Sequence, residues 1–478
     1  MPRWLPLATM PALAGLAIGC GDSNHPVAPI GIHFNNVSLA ANPNNVLSAV
    51  TKFAVTGADS VHVVYWSDSA DAKATPFTAA AASDSVVVLG LAPETQYQMA
   101  VEAVKGGTPV RSDTLAFTTA ALPTLLANAR LESSTPFSGG YILAALVDSS
   151  GAYGVAFDST GQVRWYRGFN EGVPAGEFKQ QPNGDFTIFL GATHGGQTVP
   201  GRYVEVTPGG DVVREFSAPA GAFTDNHELR LLFKDGQYDG AVMFTYTERH
   251  VDLSAQGGPS DTAVTGHQVV RVAADGSMRT VFDAWDHFTL ADNVEPIGGE
   301  ADFDHPNAVD IAPDGNYIVS WRNFDLITKI GADSGNIIWR LGGPHSDFTI
   351  TGDPLGRFSA QHSARAIGND HVLIFDNGTQ HSPPESRAVE YALDTGAKTA
   401  TMVFQYRHSP PVYTQFTGSV QRLQNGNTFV GFTWAPNLIA TEVAPDGSVV
   451  WEGTLGSGSL PSPYRFTKVV SLYQYEQP

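Results

Sequence analysis

The sequence predicts an all-β chain in which a small β-sandwich precedes a six-bladed β-propeller, and three observations predict it. First, 49 Gly and 31 Pro among 478 residues punctuate the chain too often for long helices. Second, short β-branched and aromatic runs recur between polar turns, which is the strand signal. Third, a strand, a Gly-containing turn and another strand recur six times: FDSTGQVRWY, VTPGGDVVREF, VAADGSMRTVF, IGADSGNIIWRL, YALDTGAKTATMVF and VAPDGSVVWEG. Their glycines, at 161, 210, 276, 335, 396 and 447, are spaced by 49, 66, 59, 61 and 51 residues. A second hairpin precedes the later five, as in HPNAVDIAPDGNYIVSW and HSARAIGNDHVLIF. Four strands per unit, repeated six times without helical periodicity, describe propeller blades, each covering its neighbour's apolar face. A double sandwich would not explain the repeat.

The elements follow in order. Residues 1–19 carry Arg3, an apolar stretch too short to span a bilayer and small residues before Cys20, as a signal peptide does. Ala17-Ile18-Gly19-Cys20 resembles the bacterial lipobox, which implies acylation of Cys20 as the mature N-terminus. Residues 20–29 then form a tether, and the protein is expected to be exported and lipid-anchored to the cell envelope, on the periplasmic side or the cell surface. Cys20 is the single cysteine, so an intrachain disulfide and a cysteine-based zinc site are excluded. The formal charge of -20 excludes electrostatic capture of nucleic acid by the whole molecule.

Residues 30–120 read as the sandwich, with runs KFAV, VHVVYW, SVVVLGL, YQMAVEAV and LAFTTA as strands. Leu91-Ala92-Pro93-Glu94-Thr95-Gln96-Tyr97 resembles the tyrosine corner of fibronectin type III domains, with Tyr97, Met99, Val101 and Ala103 alternating inward. No titratable cluster lies here, so the segment is a spacer or docking module. A flexible boundary is expected near Ala120-Ala121-Leu122-Pro123, with the propeller over 122–478. Residues near 121–150, including Tyr141-Ile142-Leu143, are expected to supply strands to the first or last blade so that the ring closes.

The innermost strand of each blade lines the central channel, so the residues that begin those strands meet at one mouth. They are Phe178, His227, His305, His362 and Ser419. The second strands run back and end at the same mouth with His194, Tyr246, Arg322, Asp376-Asn377 and Trp434. Three of the chain's 14 histidines thus occupy equivalent positions in successive blades. Arg322, one hairpin after His305, repels a metal but suits a tetrahedral anion, whose oxygens accept its forked donors. Tyr246, Trp434 and Phe358 offer aromatic faces to a ring, or pack. Asp376 and Asn377 orient an imidazole, or serve the turn in FDNG.

DHPNAVDIAPDGNYIVSWRNFDLITKIGADSGNIIWRLGG, with FSAQHSARAIGNDHVLIFDNG, resembles the bacterial arylsulfotransferase family, which is built on a six-bladed propeller. The resemblance covers most of 125–478 and is strongest over 300–456. It implies sulfuryl transfer from a phenolic sulfate to a phenol, through a sulfated histidine, with neither a nucleotide donor nor another cofactor. By motif, the nucleophile corresponds to His362, with His305, Arg322 and His227 beside it; the His227 match rests on the short motif DNHELRLL. The chemistry agrees. Imidazole, with a reference pKa of about 6.5, is a nucleophile at neutral pH that also leaves readily, whereas a departing phenolate, with a conjugate-acid pKa of about 10, needs a proton. Two other functions stay open: a hydrolase or lyase that uses the same histidines, with or without a metal on Asp304, His305, His362 and Asp376, or a non-catalytic surface-binding propeller that serves as a recognition face. The oligomeric state is not legible.

Overall fold

The computed structural model describes residues 31–474 except 69–70, 149–150, 170–172, 192–199, 295–300, 369, 435–437 and 457–462. The expected signal peptide, tether and Cys20 lie outside the described residues, as does His194.

One sheet of the sandwich joins His33–Ala41, Ala49–Thr56 and Asp84–Val88; the other is built on Ser60–Trp66 and Gln96–Lys105. Tyr97, Met99, Val101 and Ala103 all enter the core, and the Tyr97 hydroxyl accepts the Ala92 N–H at 2.8 Å. The strand His33–Ala41 carried no sequence signal because it is an edge with mostly exposed side chains. Where a flexible joint is expected, the sandwich instead packs directly on the propeller. Val46 N–H donates to the Tyr166 hydroxyl at 3.2 Å and Leu89 N–H to that of Tyr473 at 2.7 Å. Leu47 and Leu89 are fully buried among propeller side chains. The short helix Thr124–Asn128 follows Pro123 at the junction, with Leu126 buried.

Six sheets form the blades: the second, third and fourth are four successive antiparallel strands, the first takes its inner strand from near the C-terminus, and the fifth and sixth each add a fifth, outer strand, which in the fifth, Thr349–Thr351, is parallel to its neighbour. From inside outward, the third blade runs Phe223–Lys234, Gln237–Val251, Thr262–Ala273 and Met278–Asp283. The fourth runs Pro306–Ile311, Tyr317–Trp321, Leu326–Ile330 and Ile337–Gly342, and the fifth begins with His362–Ile367 and His371–Asp376. The ring closes twice. Leu131–Glu132 pairs with the outermost strand of the sixth blade, Val449–Leu455. At the other end of the chain, Thr467–Val469 becomes the innermost strand of the first blade, pairing with Tyr141–Asp148. The first closure was expected from 121–150; the second was not, since three residues of C-terminal strand carry no repeat signal.

Gly161 illustrates why the marker glycines recur. Its φ is +78° and a Cβ there would lie 1.8 Å from the Leu131 carbonyl oxygen, so only glycine lets the first blade's outer turn receive the strand that closes the ring. Aromatic residues fill the wedges between blades. Trp165 of the first blade stacks on Phe178 and Phe186 of the second, with ring centroids 6.0 and 4.5 Å away. Trp321 sits fully buried among Phe282, Phe288 and Phe324. Such rings bury large apolar areas at defined geometry, which holds neighbouring blades in fixed relation.

Candidate active site

The inner strands of blades three, four and five each carry a register shift at the end that bears the histidine: between Thr224 and Leu229, between Pro306 and Ala308, and between His362 and Arg365. A bulge bends its strand and re-aims a side chain. Here the three bulges turn His227, His305 and His362 toward one another. The His227 and His305 rings lie 4.7 Å apart, and those of His305 and His362 6.5 Å apart. His305 itself holds φ +48°, a sparsely populated conformation fixed by its N–H donating to Asp304 Oδ1 at 2.9 Å and its carbonyl accepting the Arg322 N–H at 3.1 Å.

The tautomer of His362 follows from its neighbours. The Asn377 amide nitrogen donates to the carbonyls of Thr414 and Thr417 at 2.7 and 3.0 Å, so its Oδ1 must face His362 Nδ1, 2.8 Å away. Nδ1 therefore carries the hydrogen and Nε2 the lone pair, toward which the Thr417 N–H points at 3.3 Å. Burial, then the charges of Arg322 and His305, push the His362 pKa well below its usual value, keeping the imidazole neutral. Gln361 locks the backbone before it by donating to Ser320 Oγ, Trp321 O and Leu326 O of the fourth blade.

The other histidines are held by carboxylates. His227 Nδ1 lies 2.9 Å from both Asp225 oxygens, and Asp302 holds His305 Nδ1. Behind them the buried His267 sits between Asp304, 2.5 Å from its Nδ1, and Asp225, 3.5 Å from its Nε2. Burial disfavours charge on His267, but the two carboxylates outweigh it and raise its pKa well above the usual value. Burial likewise works against the Asp225 carboxylate, yet the His227 and His267 imidazoles hold it far below the ordinary range. Burial lowers His305, with Asp302 opposing. Arg322 is buried to 8% exposure, bonds Asn323 Oδ1 at 2.8 Å and lies 5.2 Å from the Phe416 ring. The mouth thus joins a neutral imidazole with its Nε2 lone pair free of a hydrogen, a cation and two carboxylate-held imidazoles, a set whose chemistry suits a group carried on a tetrahedral anion.

Of the residues expected here, His227, His305, His362 and Arg322 converge. Asn377 does so as the orienting partner of His362. Asp376, named with Asn377 as a candidate substrate-binding residue that orients an imidazole or serves the FDNG turn, does the latter: it is fully buried with its oxygens held by Arg387 Nε and by the N–H groups of Ser359 and Gly378. Tyr246 is buried behind the mouth, stacked on Phe223 at 5.1 Å with its ring 5.5 Å from that of His267. Phe358 is core packing in the fifth blade. Trp434 stands at the rim, 54% exposed, edge-on to Phe416 at 6.0 Å.

Sequence reasoning missed several members. Tyr464 heads the first blade's inner strand, its ring 5.6 Å from His227, and was invisible without the C-terminal closure. Asp225 and Asp302 stand two and three residues before the histidines they hold, a spacing that could have been read. His267 lies within the apolar strand Thr262–Ala273, where a lone imidazole demands a partner.

A cavity of 660 Å³ lies at the far end of the inner strands, lined in part by Lys179, Arg230 and Arg365. These cations are already matched: Glu228 meets Lys179, Arg365 and Arg465, Glu177 meets Lys179 and Arg465, and Asp310 meets Arg230. This buried network of ion pairs leaves the cavity's cations compensated, whereas the histidines gather at the opposite end of the inner strands. Among the described residues, His267, Asp302 and Asp304 alone bring three side chains that could ligate a metal within 4.8 Å of one another. Their contacts with one another and with His305 make them a hydrogen-bonded network. The ligand set Asp304, His305, His362 and Asp376 does not assemble, because Asp376 faces Arg387.

Comparison with solved structures finds a Bacteroides caccae protein of unknown function at 12% identity and TM-score 0.44, covering 70% of this chain and 100% of that one. A Lactobacillus plantarum protein aligns at 12% and 0.38, over 70% and 100%. A virginiamycin B lyase from Staphylococcus aureus, solved with quinupristin, aligns at 12% and 0.34, over 86% and 100%. No curated relative matches. The arylsulfotransferase (ASST) family model matches residues 131–447, from the strand that closes the ring through the last outer turn and across all three histidines and Arg322; the chain belongs to the arylsulfotransferase family.

Proposed function

We propose that the histidine mouth moves a sulfuryl group from a phenolic sulfate to a phenol through a sulfohistidine at His362, without a nucleotide donor. Family membership supports aryl sulfotransfer in general; the route through His362 rests on its geometry. The observation that carries the reading is an imidazole tied at Nδ1 and neutral, with the Nε2 lone pair in the same mouth as Arg322.

In the first half-reaction Nε2 attacks sulfur and the sulfur–oxygen bond to the aryl group breaks. Its electron pair leaves on the phenolate oxygen, which takes a proton from the His227–His305 pair. Arg322 neutralises charge on the sulfuryl oxygens. In the second, an acceptor phenol returns a proton to the pair, its oxygen attacks sulfur, and the nitrogen–sulfur pair returns to Nε2. Phe416 and Trp434 offer apolar faces to the aryl ring. The lipobox-like segment ending at Cys20 supports export and a lipid anchor in the cell envelope, and release of soluble, active protein by Cys20→Ser would test it.

A chromogenic aryl sulfate incubated with and without phenol tests the chemistry. Acceptor-dependent release of the leaving phenol is expected. Mass spectrometry of a donor-only incubation quenched in base should find sulfuryl mass on the peptide containing His362. Turnover with that peptide unmodified would replace the covalent route by direct transfer; acceptor-independent release would mean hydrolysis.

A further inference from the structure

Four side chains form a continuous line from the third blade's interior to the mouth: Asp304, His267, Asp225 and His227. Asp304 accepts twice from His267, from Nδ1 at 2.5 Å and from the backbone N–H at 2.9 Å. His267 Nε2 faces Asp225 Oδ2 at 3.5 Å. Asp225 spans His227 Nδ1 with both oxygens at 2.9 Å and accepts the His227 N–H at 2.9 Å. His267 is 3% exposed and pairs across the sheet with Tyr246, so it cannot touch a substrate. A histidine on the third strand of a blade, away from the channel, is not required by the propeller repeat: the corresponding strands of blades two, four, five and six carry none.

We infer that His267 is a positioning residue that acts through Asp225, fixing the orientation of His227 and setting how tightly that imidazole holds its proton beside the reacting group. This inference rests on the sulfuryl-transfer reading of the mouth. The physical reason is charge balance. Asp225 beside a neutral partner would attract a proton onto His227 with a full negative charge, whereas Asp225 beside the His267 cation presents much less field. His267 is held charged by Asp304 on its far side, which the direction of its titration supports. The remaining groups around His227 do not supply this balance. Glu228, its neighbour on the strand, is neutralised by Arg365 and Arg465. His305 and Asp302 from the fourth blade form their own pair, with Arg322 beyond them. Tyr464 from the first blade presents a ring whose hydroxyl burial holds neutral, and Tyr246 on the second strand of the same blade is held neutral likewise.

The sign follows. His267→Gln keeps a hydrogen-bond donor near Asp225 but removes the cation, so the imidazole of His227 should hold its proton more tightly. The limb of the pH–rate profile assigned to the acid–base pair should then move to higher pH by about one unit. At a fixed pH well on the acid side of that limb, the second half-reaction, which needs a free base, should slow by about tenfold, with less effect on the donor step. Because His267→Gln leaves the buried Asp304 with backbone donors but no opposing charge, the double variant His267→Gln with Asp304→Asn removes both charges and guards against simple unfolding. It should shift in the same direction, by less.

The test measures pH profiles of kcat/KM for a 4-nitrophenyl sulfate donor and for phenol, in the full-length protein and both variants. The NMR titration of the His227 ring nitrogens is followed alongside. An upward shift in both variants supports the role. A double variant that is folded and keeps the wild-type profile and titration overturns it, leaving His267 as packing. Failure of the wild type to cleave any aryl sulfate would instead refute the sulfuryl-transfer reading, and the NMR titration would still decide the role of His267.

Discussion

His362 and His267 are both buried histidines, and their surroundings drive them in opposite directions. His362 is kept neutral by burial, Arg322 and His305. The unfolded chain binds a proton there below a pH of about 6.5 and the native state does not, so this site draws stability down as pH falls through that value. His267 has a raised pKa, so its contribution is complete at low pH and is lost as pH rises through its folded value. His362→Asn should therefore shrink the drop in Tm between pH 7.5 and pH 5.5, while abolishing both donor cleavage and acceptor sulfation; a variant that still sulfates phenol would show that Nε2 is not the bond-forming atom. Arg322→Ala removes charge stabilisation and leaves the nucleophile, so single-turnover kinetics should show the donor step slowed by about 10²–10³ rather than abolished.

Within the fifth blade the informative element is the clamp behind the active strand. Arg387 is fully buried; its Nε donates to Asp376 at 2.8 Å, and its two terminal nitrogens reach Asp353 at 2.8 and 2.7 Å. Asp376 in turn accepts the Ser359 and Gly378 N–H groups, which anchors the chain on either side of His362 and Asn377. Arg387→Met strands two buried carboxylates and should cost about 3–5 kcal/mol in denaturant unfolding, since breaking one partner of a buried pair leaves the other charge uncompensated. Asp376→Asn should destabilise as well, yet the folded fraction should keep the wild-type dependence on leaving-group pKa, because Asp376 faces the clamp and not the mouth. A changed leaving-group dependence would return Asp376 to the chemistry.

For the whole molecule, closure of the ring and formation of the site are one event. The C-terminal strand Thr467–Val469 is the first blade's inner strand, and just before it come Tyr464 at the mouth and Arg465 in the buried ion-pair network, bonded to Glu177 and Glu228 at 2.6 and 2.7 Å. A chain ending at residue 462 loses all of these, and calorimetry should show no cooperative unfolding. Removal of the sandwich is a smaller change. A protein beginning at residue 122 keeps six blades but exposes the surface that Leu47 and Leu89 cover. It should fold with a lower Tm, since each buried leucine is worth about 1.5–3 kcal/mol; an unchanged Tm would show that the interface contributes nothing.

Sequence alone determined the class, the blade count and the convergence of His227, His305, His362 and Arg322, because a repeat with a fixed strand period places equivalent positions at one end of the channel. It also carried the tyrosine corner, since Tyr97 and Ala92 are near neighbours in the chain. Tertiary structure alone decided the rest. It put Asn377 on the imidazole and Asp376 on Arg387, though the two are adjacent, because the strand His371–Asp376 ends between them and the chain turns. It also brought Tyr464, from the far end of the chain, to the mouth and set His267, from the third strand of its blade, behind it. Contacts between residues hundreds of positions apart, or between different layers of a blade, leave no local periodicity in the sequence; they exist only once the ring has closed.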